Sequence, residues 1–67
     1  MKIKMDTSTI KFKTIQYIKG IKYLNKNQID DLKYIICDNL KIEKNNKNFT
    51  IIKEAIKIYF KIQNNEK

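Results

Sequence analysis

The sequence predicts a mainly α-helical fold with one short β-strand, completed by a second copy of the chain. Three observations point there. A central segment rich in β-branched and aromatic residues carries the single glycine, a capped amphipathic helix follows it, and a final helix presents more apolar surface than those two elements can cover. At 67 residues the chain is short enough that a lone copy buries only about 60% of its unfolded surface, so a homodimer is the expected state.

Residues 1–14 read as a basic N-terminal arm or short strand. Lys2, Ile3, Lys4 and Met5, then Ile10, Lys11, Phe12 and Lys13, alternate charge with apolar character around a polar Asp6-Thr7-Ser8-Thr9 break. Residues 15–67 form the folded domain, which begins with a strand at about 17–24 in the run IQYIKGIKYL. The same run also spaces Ile15, Ile18, Ile21 and Leu24 three apart, as one face of a helix would, so a three-helix bundle is the competing architecture.

Next comes a helix at about 26–42. Asn25 and Gln28 have capping-box spacing, and Leu24 and Ile29 occupy the staple positions on either side of that cap. Inside the helix Ile29, Leu32, Ile35, Ile36 and Leu40 make one apolar stripe. The polar run Lys44 to Asn48 reads as a loop, with Asn46 or Asn48 available to cap the last helix at about 49–62. That helix carries two adjoining apolar stripes, Phe49-Ile52-Ile56-Tyr59-Phe60 and Ile51-Ala55-Ile58-Ile62, which leave mainly Lys53, Glu54, Lys57 and Lys61 for solvent.

The composition argues against catalysis. With no histidine the chain cannot build a Ser-His or Cys-His pair or a His-ligated metal site, and one glycine cannot make a phosphate-cradling loop. Asp30 and Asp31 are neighbours, about 100° apart on a helix, and form no paired acid/base site. We therefore expect no enzyme and no cofactor. The lone Cys37 follows Ile35 and Ile36 and reads as a small buried group in a reducing cytoplasm, and no apolar run approaches the length of a membrane span or a signal peptide. The net charge is +8, carried by fifteen lysines and no arginine, which suits a polyanionic partner and also fits the codon bias of an A/T-rich genome.

The order of strand, capped helix, polar loop and final helix resembles the ribbon-helix-helix superfamily of the MetJ and Arc repressor type, and within it the small plasmid omega-type repressors. The segments LNKNQIDDLKYII and NFTIIKEAIKIYF carry the likeness over about residues 17–62. The loop between the helices is longer than in the shortest members, and no arginine stands where the family often uses one. The resemblance implies an intertwined homodimer whose two-stranded antiparallel ribbon lies in the major groove of double-stranded DNA, as a small transcriptional repressor or a plasmid partition or relaxosome accessory protein. By the same resemblance Lys19, Ile21, Lys22 and Tyr23 are the base-contacting candidates. Counting back from an inward Leu24 turns Lys22 inward, whereas a bulge at Gly20 or a slip exposes it, so two registers stand. Asn48, Phe49 and Thr50, with Lys47, are the implied phosphate contacts at the start of the last helix. The arm, including Lys11 and Lys13, is available for phosphate or for a partition ATPase or other plasmid or phage protein.

The alternatives are a three-helix domain binding RNA or acting as a helix-turn-helix, and an inhibitory or membrane-surface-active basic peptide using Lys53, Lys57 and Lys61. The family's toxin-binding role needs a longer tail than Gln63–Lys67.

Overall fold

A computed structural model describes residues 4–65 of the chain, with side chains assigned through Gln63. It contains three helices, α1 (Thr7–Ile18), α2 (Lys26–Leu40) and α3 (Asn46–Asn65), and no strand among the described residues. The ribbon-helix-helix fold is thereby overturned, together with its intersubunit ribbon, and the three-helix bundle holds instead.

The first correction concerns residues 6–18. Asp6 is a helix cap: the Thr9 N–H donates to its side chain at 2.8 Å, and hydrogen bonds from the Thr9 side chain and backbone hold its carboxyl below the usual carboxylate range. The polar Asp6-Thr7-Ser8-Thr9 segment is therefore the start of a helix, in place of the expected arm or strand. Ile10, Thr14 and Ile18, four apart, form its buried face. The Thr14 hydroxyl, buried among apolar side chains, donates to the Ile10 carbonyl at 2.7 Å, so its burial leaves no unsatisfied polar group.

The second correction concerns residues 17–24. Tyr17 and Ile18 complete α1, and Lys19 and Gly20 then form a turn. Lys19 sits at φ −58° and ψ 128° and Gly20 at φ +96°, while the Ile21 N–H donates to the Ile18 carbonyl at 3.0 Å. These are the features of a type II turn, which requires a positive φ at its third residue and hence glycine. Ile21 and Leu24 then pack onto the core from an irregular segment. Burial in the bundle, which needs no pairing partner, overrides the β-propensity of the run.

A third correction is to the helix ends. The first capped helix stops at Leu40 and not near 42, and the last begins at Asn46, three residues earlier than expected. Its cap is Asn45, whose side chain accepts from the Asn48 N–H at 2.8 Å and whose carbonyl accepts from the Phe49 N–H at 2.9 Å. The Asn25–Gln28 capping box is present in both directions, at 2.8 and 2.9 Å.

The path of the chain follows from paired contacts. Lys11 meets Glu54 and Gly20 meets Tyr59, so α1 and α3 run in the same direction. Asp30 meets Lys53 and Tyr34 meets Phe49, so α2 runs against α3. The core between them is built from Ile10, Ile18, Ile36, Cys37, Ile42, Ile51, Ile52 and Ile56. Thus α1 supplies, within one chain, cover for α3 of the kind expected from a second subunit: the stripe from Phe49 to Phe60 packs on the core along its length, and the other is buried at Ile51 and Ala55. Ile58 and Ile62 remain exposed.

Two backbone positions yield opposite predictions. Lys41 closes α2 in the left-handed region at φ 59°, with the Ile42 N–H donating to the Cys37 carbonyl at 3.1 Å. This is a Schellman ending with lysine where glycine is favoured, so Lys41→Gly should stabilise by about 0.5–1 kcal/mol. Gly20→Ala should destabilise by about 1 kcal/mol through backbone strain alone, because a Cβ there meets nothing within 4 Å. Thermal unfolding followed by circular dichroism checks both signs.

Candidate nucleic-acid interface

The turn after α1 and the second half of α3 lie side by side at one end of the bundle. The Gly20 N–H donates to the Tyr59 hydroxyl at 3.4 Å, which ties the turn to α3. Two adjoining open grooves form along this junction. Lys19, Gly20, Ile21, Lys22, Tyr59 and Gln63 line one of them. The other is lined by Lys22, Tyr23, Leu24, Ile29, Lys57, Phe60 and Lys61. Lys22 is common to both, and among the described residues neither lining includes a carboxylate.

Three acids are paired with lysines away from these grooves. Asp30 accepts from Lys53 at 3.2 Å and lies 3.7 Å from Lys33, and the Lys53 hydrogen bond holds its carboxyl below the usual range. Asp38 pairs with Lys44 at 2.7 Å, which raises the Lys44 ammonium above its ordinary value, and Glu54 pairs with Lys11 at 4.0 Å. Lys19, Lys22, Lys57 and Lys61 take part in none of these four ion pairs. Clustered like charges that the described side chains do not neutralise attract an external anion.

The structure brings Lys19, Ile21, Lys22 and Tyr23 together, on a turn and an extended segment. Ile21 is half-buried on the core, while Lys19 and Lys22 are exposed and Tyr23 is 74% exposed. The question of strand register disappears with the strand. The second set of candidates sits elsewhere: Lys47 and Asn48 line a groove at the opposite end, with Lys4, Met5, Ile10, Ile42, Glu43 and Asn45. At 1.5 Å per residue that is roughly 20 Å along α3 from Lys61. The Asn48 and Phe49 N–H groups are already taken by the Asn45 cap. The Phe49 ring packs edge-on against Tyr34 at 5.0 Å with the Lys33 ammonium 4.9 Å above it, and Thr50 is exposed. Lys11 is in its ion pair, Lys13 is exposed on α1, and Lys2 lies outside the described residues.

Lys57 and Lys61 complete the cluster, although the sequence marks them only as solvent-facing, or as part of a lipid-facing stripe with Lys53. The i, i+4 spacing of 57 and 61 is the one signal available there. It cannot show that Lys53 is neutralised by Asp30 from α2, nor that the turn after α1 adds Lys19 and Lys22 to the same surface. Among the described residues, no group of three or more Cys, Asp or Glu side chains has the arrangement of a metal site, and no helix is long and apolar enough to cross a membrane.

Compared with protein-family models, curated proteins and solved structures, the chain matches none of them.

Proposed function

We propose that this protein is a non-enzymatic nucleic-acid-binding module. It engages the phosphate backbone through Lys19, Lys22, Lys57 and Lys61. One observation carries this reading: among the described residues, four lysines that join none of the ion pairs gather on two adjoining grooves lined by no carboxylate, while the acids that form those pairs lie elsewhere on the surface. Phosphates spaced along a chain suit such an array, because each lysine that meets a phosphate releases a condensed counterion and adds to affinity independently of sequence. A role beside DNA, as a repressor or an accessory of plasmid partition, is compatible with such an array, without a ribbon in the groove.

The test is equilibrium binding of labelled oligonucleotides across a salt series. We expect log K to fall linearly with log salt, with a slope set by the number of lysines engaged. Binding that is flat between low and moderate salt, or none at low salt, refutes the reading.

A further inference from the structure

We propose that the groove between Tyr23 and α3 holds an unpaired base, so that the preferred ligand is single-stranded nucleic acid. This inference rests on the nucleic-acid reading and adds the ligand class to it. The groove has two chemistries. Its floor is apolar, formed by Leu24, Ile29 and Phe60, each partly buried against the core. Its rim is cationic, formed by Lys22, Lys57 and Lys61. Tyr23 stands at the same groove with 74% of its surface exposed.

An occupant that satisfies both parts has a flat apolar face flanked by negative charges. A nucleotide within a single strand meets that description: the base is a π-surface and a phosphate lies on either side of it. In a duplex the base faces are stacked on their neighbours and closed to a tyrosine. The ring of Tyr23 also packs on no other aromatic ring among the described residues, in contrast to Tyr34 on Phe49 and Tyr59 on Phe60, which pack edge-on at 5.0 and 5.3 Å. Its apolar faces are open to a planar ligand. Lysines on one rim set the strand in place through its phosphates, and the base then covers the floor.

The experiment uses the full chain and two fluorescein-labelled probes, an oligothymidylate and a duplex of equal length, at matched salt. Tyr23→Ala and Tyr23→Phe are compared with the parent, with circular dichroism to confirm the fold. We expect the single strand to bind more tightly than the duplex. Tyr23→Ala should weaken binding of the single strand about ten- to a hundredfold, with an unchanged salt slope, because stacking is removed while the phosphates stay neutralised by lysine. Tyr23→Phe should bind like the parent. If Tyr23→Ala binds the single strand as well as the parent does, or the duplex is bound equally tightly, base insertion is overturned while the lysine reading stands. If neither probe binds, both fall. Displacement of the single strand by an acidic helical peptide at lower concentration than by unlabelled oligothymidylate would also overturn it, in favour of a protein partner.

Discussion

Truncating Ile52 to alanine is expected to cost about 3 kcal/mol of folding stability. Ile52 is fully buried on α3, in the core that α1 and α2 share. The effect combines the transfer free energy of the removed methyl groups with a cavity that helices held on both sides cannot fully close. A domain of this length has roughly 3–10 kcal/mol in all, so the variant should unfold at much lower urea and temperature, or be largely unfolded at 37 °C. Ile62→Ala, on the same helix but exposed, should change stability by no more than about 0.5 kcal/mol. Equal effects at the two positions would mean that α3 is not enclosed by α1 and α2 of its own chain.

Replacing Lys22, Lys57 and Lys61 together with glutamine should remove most of the nucleic-acid affinity at moderate salt. Each phosphate that is no longer neutralised lowers the salt slope by about 0.7 on a single strand and about 0.9 on a duplex, so the triple variant should reduce the slope by about two or more. The informative control is charge-matched: Lys11, Lys44 and Lys53 changed to glutamine together. That variant carries the same net charge, but its three lysines are already bound to Glu54, Asp38 and Asp30. It should keep most of the slope and nearly all of its stability, because exposed ion pairs contribute little to folding. If the two triple variants weaken binding equally, affinity follows net charge and no particular surface of the bundle is the interface.

Several features are legible in the residues alone because their causes lie within a few positions of each other. The Asn25–Gln28 box is one: both partners and both N–H groups lie within four consecutive residues, so spacing suffices to predict it. The inward faces of α2 and α3 are legible in part, since a period of three and four marks a helix face: Ile36, Ile51, Ile52, Ala55 and Ile56 are buried, whereas Ile35, Ile58 and Ile62 of the same stripes are exposed. Cys37, which follows Ile35 and Ile36, is buried as that setting suggests. The first helix escapes such a reading for an equally local reason. Asp6 begins a helix as readily as it begins a turn, and the alternating lysines of residues 10–13 satisfy a period of two while Ile10, Thr14 and Ile18 satisfy a step of four. Gly20 does mark a break in structure, but the type II turn it permits follows the end of a helix, where the sequence suggests the middle of a strand.

The candidate site divides along the same line. Lys19, Lys22 and Tyr23 stand out from sequence, whereas Lys57 and Lys61 do not, because membership of a surface cluster depends on which helices lie side by side. Local chemistry therefore specifies the cap of α2 and the helical nature of α2 and α3, each through interactions within about one turn of helix. The nature of residues 7–24, the cover over α3 and the division of the lysines between ion pairs and the open grooves were decided only by the packed bundle. Those properties depend on contacts between residues tens of positions apart, such as Gly20 with Tyr59 and Asp30 with Lys53, which no local spacing encodes.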